Sequence, residues 1–142
     1  MKMVKHLLAD KGADVWSVSP QDSVYDAIDM MAQKGVGALM VMDGAKPIGI
    51  VSERDYARKV ILAGKSSKST PVNDIMSADL VSVELASSVD ECMSLMTEFR
   101  IRHLPVIEKG GVVGMVSIGD LVKAIIAEQQ QTIEQLEQYI SS

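Results

Sequence analysis

The feature that most restricts this chain is that it contains itself twice. Displaced by 65 positions, the sequence aligns with itself without a gap for about 47 residues. Ser17-Val18 falls on Ser82-Val83, Ser23-Val24 on Ser88-Val89, Met31 on Met96, Leu39 on Leu104 and Val41 on Val106. The segment GIVSERD (Gly49 to Asp55) lands on GMVSIGD (Gly114 to Asp120). Upstream the displacement grows to 68, placing Val4, Leu7 and Leu8 on Val72, Ile75 and Met76, so copy one carries a small insertion near Lys11-Gly12. A tandem duplication of this kind means that one small unit is built twice.

Each copy reads alike. A turn of helix (V-x-x-L-L or V-x-x-I-M) leads into a brief extended piece, VWSV or LVSV. Ser23 then caps a helix with the apolar stripe Val24, Ala27, Ile28, Met31, stopped by Gly35; Ser88 caps Val89, Cys92, Met93, Met96. Two apolar runs follow in each copy, separated by Asp43-Gly44 or by Gly110-Gly111, which are hairpin signals. A second helix begins at Ser52 or Ser117. The order is β-α-β-β-α twice, an α/β (α+β) fold class. One such unit is too small to cover both faces of its sheet, so the two copies are expected to pack sheet to sheet about a pseudo-twofold axis. Two related clefts would result, and ligand sites favour clefts. The expected boundaries are repeat one at 4–62, a linker at 63–71, repeat two at 72–127 and a C-terminal helical extension at 128–142, together forming one cooperative domain.

Composition removes several function classes. The 142 residues carry net charge −5, which argues against a nucleic-acid coat protein. A single cysteine, Cys92, excludes internal disulfides and fits a reducing cytoplasm. No apolar run reaches the ~20 residues of a membrane span, and VKHLLADKG at the start is no signal-peptide core. Two histidines, one cysteine and no carboxylate pair at ligand spacing leave no metal site. Cys92 replaces Ala27 on a helix core face and reads as a buried, inert thiol. Gly64-Lys65-Ser66 imitates the end of a phosphate-binding P-loop, but the required earlier glycine is Lys59 and the preceding stretch reads as a helix. No arrangement activates a nucleophile or moves a proton, so there are no catalytic candidates and the chain is expected not to be an enzyme.

The strongest local signal is Gly-apolar-Val-Ser-x-x-Asp, present in both copies. It is first a capping box, in which the serine takes an early helix N–H and the acid reaches back. The same geometry offers free N–H groups and an aspartate to a sugar-phosphate ligand. The glycine is read as letting a ligand ring come close to the backbone.

With these residues on view, RIRHLPVIEKGGVVGMVSIGDLV in copy two and GALMVMDGAKPIGIVSERDYARKV in copy one resemble a pair of CBS domains, the Bateman module, from about Val4 to Ala127. The resemblance implies adenine-nucleotide ligands (AMP, ADP, ATP, S-adenosylmethionine, sometimes NAD(H)) in the inter-repeat clefts, and no catalytic cofactor. It implies that Asp55 and Asp120 hold ribose, with Ser52 and Ser117 nearby. Ser17 to Ser19 and Ser82 to Glu84 would flank the adenine. Ala38 to Met40 and His103, Leu104 and Pro105 would complete the pockets.

The copies differ where phosphates would sit. Copy two has Arg100, Arg102 and His103 where copy one has Gly35, Gly37 and Ala38; copy one instead has Arg54 beside its aspartate, with Arg58 and Lys59 beyond. Arg102 and Arg54 are the phosphate candidates, and unequal sites are expected. The linker hydroxyls of Ser66 to Thr70, with Lys65 and Lys68, could fold over a phosphate. The stripe Ile125, Ile126, Ile133, Leu136, Ile140 on the tail either folds back on its own domain or packs across a dimer interface; the resemblance to CBS pairs implies a homodimer. The leading expectation is a stand-alone sensor that signals to a separate effector protein. The alternatives are an interaction scaffold with vestigial clefts, or a protein that binds RNA or single strands through Arg54, Arg58, Lys59, Lys65, Lys68, Arg100 and Arg102. The second is weakened by the acidic balance and the lack of an aromatic stacking platform.

Overall fold

A computed structural model describes residues 2–141; Met1 and Ser142, the last residue of the expected extension, lie outside the described residues. In chain order the elements are α1 (Val4–Lys11), β1 (Ser17–Val18), α2 (Val24–Lys34), β2 (Ala38–Asp43), β3 (Lys46–Ser52), α3 (Glu53–Tyr56), α4 (Val89–Phe99), β4 (His103–Glu108), β5 (Gly111–Ser117) and α5 (Ile118–Ser141). A π-helical stretch, Ala57–Ile61, continues α3, and a 3-10 turn spans Val72–Asp74. The caps follow from the serines: Ser23 Oγ accepts from the Asp26 N–H and Ser88 Oγ from the Glu91 N–H, each at 3.1 Å.

The chain divides into two compact units. One combines the chain up to Ala13 with Val81–Glu108 and the chain from Val113 onward; the other comprises Asp14–Leu80 and Lys109–Val112. These units cut across the sequence repeats. In the first, α1 contributes Val4, Leu7 and Leu8 to a core with Val83, Val89, Cys92, Met96, Leu104, Val106, Val116 and Leu121. In the second, Val72 and Ile75 join Val18, Val24, Ala27, Met31, Leu39, Val41, Val51 and Val60. Each helical leader therefore completes the core of the other copy's helix and strands.

Backbone hydrogen bonds repeat the exchange in both units. Val4 N–H donates to Ser87 O (2.9 Å), Lys5 to Leu85 O (3.0 Å), and Val89 donates to Lys2 O (3.1 Å). The matching bonds run from Val72 to Asp22 O (2.8 Å), Asn73 to Pro20 O (2.9 Å) and Val24 to Thr70 O (2.9 Å).

The sheets are less alike than the sequence predicts. In the second unit β1 pairs parallel with β2, and β2 antiparallel with β3. In the first unit β4 and β5 form a two-stranded sheet, and LVSV contributes only a parallel bridge between Val83 and Val106. The reason is Pro105. Met40, its counterpart, donates its N–H to Trp16 O at 3.1 Å. Proline has no N–H to offer Val81, the counterpart of Trp16, so the third strand loses a rung. The copy-two leader forms its expected turn of helix but is shorter than that of copy one. Asn73, Asp74 and Ser77 favour local turns over a helix, and a single 3-10 turn forms before Ile50 and Ser77 pair as a bridge.

The expected linker is docked rather than loose. Tyr25 N–H donates to Ser67 O at 3.0 Å, and the Lys68 ammonium lies 5.0 Å from the Tyr25 ring centre. The Thr70 hydroxyl is committed to Ser66 O at 2.7 Å, and that of Ser69 points to the same oxygen at 3.5 Å. These two hydroxyls hold the loop's own backbone. Among the described residues no helix is long and apolar enough to cross a membrane.

Candidate functional site

In the second unit β3 runs directly into α3. Ser52 has extended backbone angles, so its N–H and hydroxyl both face the first turn. Asp55 N–H donates to Ser52 Oγ at 3.2 Å, while Asp55 Oδ2 accepts from Ser52 N–H at 2.9 Å and from Ser52 Oγ at 3.0 Å. The other carboxylate oxygen, Oδ1, takes Lys59 Nζ at 3.2 Å, and the same ammonium donates to Ile75 O at 2.9 Å. Glu53 N–H is tied to Gly37 O at 3.1 Å, which fixes the helix start against the entry of β2.

The first unit repeats the arrangement with different chemistry. Asp120 N–H donates to Ser117 Oγ at 3.2 Å, and Asp120 Oδ2 accepts from Ser117 N–H at 2.8 Å. Ile118 N–H is held by Arg102 O at 2.9 Å, in the place where the other unit has Gly37. The lysine comes from elsewhere in the chain: Lys11, at the end of α1, places Nζ 2.7 Å from Asp120 Oδ2 and 2.8 Å from Met115 O. Both contacts to Asp120 fall on Oδ2.

The electrostatics follow from this packing. Burial works to raise the Asp120 carboxyl, but the hydrogen bonds from Lys11 and Ser117 and the Lys11 charge outweigh it and hold it below the usual carboxylate range. His103 is pushed down, chiefly by burial and then by the cations of Lys11 and Arg102, with Asp120 pulling the other way. His103 therefore feels the charges of Lys11, Asp120 and Arg102 together, and Lys11 is the cation paired with the Asp120 carboxylate. Arg54 is exposed on α3.

The remaining sequence candidates lie on the strands. Ser17 is exposed and pairs with Met40 in the parallel ladder; Ser19 is exposed, its N–H on Asp22 Oδ2 at 2.9 Å; Ser82 is exposed beside the Val83 bridge. Ala38, Met40, Leu104 and Pro105 are buried, so their side chains present little surface to a ligand.

The reading of the two glycines is corrected. A Cβ at Gly114 would come within 2.6 Å of Leu8 Cδ1, and one at Gly49 within 2.6 Å of Met76 Sδ and 3.0 Å of Ser77 O. The close approach these glycines permit is that of each unit's own leader, not of a ligand ring.

Two residues of the site escaped the candidates: Lys11 altogether, and Lys59 as more than a surface charge. The available signal for Lys11 was the insertion after α1's apolar stripe, which lengthens that helix and carries the ammonium to Asp120. Among the described residues no three His, Cys, Asp or Glu side chains stand close enough to hold a metal ion.

A family profile of the CBS domain matches residues 4–61 and 72–127. The chain belongs to the CBS-domain family. A candidate signal-transduction protein with CBS domains from Burkholderia ambifaria is 53% identical, with a TM-score of 0.86 over 90% of this chain and 96% of that one. The mitochondrial CBS domain-containing protein CBSX3 of Arabidopsis thaliana is 46% identical over 134 residues, 91% of this chain; the match spans 65% of that relative's length. At 20% identity the fold alone is shared with the CBS domain pair of protein MJ0100, whose structure is a complex with 5'-methylthioadenosine and S-adenosyl-L-methionine (TM-score 0.80, 90% of this chain and 98% of that one). CBS pairs of this kind are regulatory modules, and both halves of this chain carry the Ser-x-x-Asp capping box.

Proposed function

We propose that this CBS pair is a sensor that binds an adenine nucleotide, AMP, ATP or NAD(H), and passes its occupancy to a separate effector protein. The observation that carries the reading is the Asp120 group. The helix start supplies a positive dipole end, and Lys11 and Arg102 add the charge that a phosphate requires. Asp120 Oδ1, which carries neither the Ser117 nor the Lys11 contact, is the acceptor for a ribose hydroxyl. The adenosyl ligands of MJ0100 support the same ligand class. Asp55 plays the corresponding part in the other unit, where Gly37 and Ala38 replace Arg102 and His103. The Asp120 site is therefore the tighter one for phosphorylated ligands. The module acts as a homodimer in the cytoplasm and carries out no catalysis.

A signal requires that ligand be bound differently in two states. Lys11 is the part built to respond, because a bound phosphate competes with Asp120 and Met115 O for its ammonium. Calorimetric titration with AMP, ATP, NAD⁺ and NADH tests the reading. Micromolar heats that weaken at one site in Asp120→Ala and at the other in Asp55→Ala support it. Folded protein, freed of co-purified ligand, that gives no heat with any of the four overturns it and leaves the scaffold reading.

A further inference from the structure

The second half of α5 has no cover of its own. From Ile126 to Ser141 every residue is exposed, including Ile126 (59%), Ile133 (48%), Leu136 (57%) and Ile140 (81%). A solvated helix of about four turns is marginal on its own hydrogen bonds, and this one spends large apolar side chains on water. They are not scattered. Val122, Ile126, Gln129, Ile133, Leu136 and Ile140 alternate steps of four and three, the spacing of a coiled-coil seam with Ile at each a position and Val122, Gln129 and Leu136 at d. The b, c and f positions between Ala127 and Ile140 are all Glu or Gln: Glu128, Gln131, Glu134, Gln135 and Gln138.

Charge decides what fits. A single antiparallel alignment of this helix with a second copy sets Ile126 opposite Leu136, Ile133 opposite Gln129 and Ile140 opposite Val122. The flanking e positions then bring Lys123 of each copy to Glu137 of the other, and Gln130 to Gln130. A parallel alignment in register places Lys123 beside Ile118 and Glu137 beside Thr132, with no opposite-charge pair. We propose that α5 is the dimerisation element and that its occupant is the α5 of a second copy, lying antiparallel across a twofold axis. The interface is isologous, as a closed dimer requires, and spans about 27 Å from Val122 to Ile140 at the helical rise. The two Gln129 layers at its centre cost stability and fix the register.

Sedimentation of the full chain over a range of concentrations tests this. Wild-type protein sediments as a dimer, and Leu136→Lys, an exposed position that leaves the fold intact, sediments as a monomer. Lys123→Glu and Glu137→Lys each weaken the dimer about tenfold, because either change sets like charges face to face. The double variant Lys123→Glu/Glu137→Lys restores it. A wild-type monomer at every concentration overturns the proposal. So does a dimer indifferent to Leu136→Lys, or a double variant as weak as the singles.

Discussion

The Leu8 side chain stands where a side chain at residue 114 would have to be, 2.6 Å from an added Cβ. Both residues belong to one unit, and their contact locks α1 onto β5. Gly114→Ala forces an overpacked contact against a buried leucine and lowers stability by about 1–3 kcal/mol. The effect is specific to the pair. In a Leu8→Ala background, itself costing about 2–5 kcal/mol, the same glycine substitution costs little. Urea unfolding of the four proteins measures the coupling, and strict additivity would contradict the packing.

The Lys11–Asp120 tie predicts a pH response with a definite sign. Asp120 is held below its usual range in the folded protein, so protonation is harder there than in the unfolded chain. The stability it supplies is complete above the unfolded value of about 3.9 and disappears as pH falls through the lower folded value. Lys11→Met raises the carboxyl, so it lowers stability near neutrality, by up to about 1 kcal/mol for this partly exposed pair, and the difference from wild type closes as pH falls through the carboxylate range. Carbon-detected titration of Asp120 in both proteins checks it; an unshifted carboxyl means the tie does not form in solution.

Cys92 is fully buried in the first unit's core, and burial followed by the neighbouring Glu91 charge pushes its thiol up to about 11. Thiolate is the reactive form. Aromatic disulfide reagents at pH 8 should therefore leave the native protein unmodified and react at once when it unfolds. Cys92→Ala costs about 1 kcal/mol, since Ala27 fills the matching place in the other unit. Rapid native labelling would contradict this core placement.

The turn joining β4 to β5 holds Lys109 at φ 51° and Gly110 at φ 79°. Positive φ at both central residues is the geometry that favours Asn-Gly. Lys109→Asn raises stability by about 0.5–1 kcal/mol, read as a higher denaturation midpoint with an unchanged slope. A loss of stability would indicate that the lysine side chain makes a contact worth more than the backbone strain.

How much of this was legible depended on whether the information was local. The serine caps, the Ser-x-x-Asp motif and the duplicated order of elements are set by neighbouring residues and could be read directly. The hairpin glycines were nearly right: the second turn centres on Lys109-Gly110, one residue before the pair that marked it. The shortened third strand was readable in principle, because Pro105 sits where the pattern of copy one requires a donor. The exchange of leaders was not. Val4, Leu7 and Leu8 present the same apolar stripe as Val72, Ile75 and Met76, so local pattern cannot tell which core each will fill. Lys11 was hidden for the same reason, since its partner lies more than a hundred residues downstream.

That exchange sets a timetable for the chain as it is made. The core around Val18, Val41 and Val60 has every member by the time Ile75 has been synthesised. Val4, Leu7 and Leu8 must wait for Leu121 and Ala124, an interval on the order of ten seconds at ordinary translation rates. Throughout it α1 carries an unmet apolar face, so a segment made well before its partners is among the last to be sheltered.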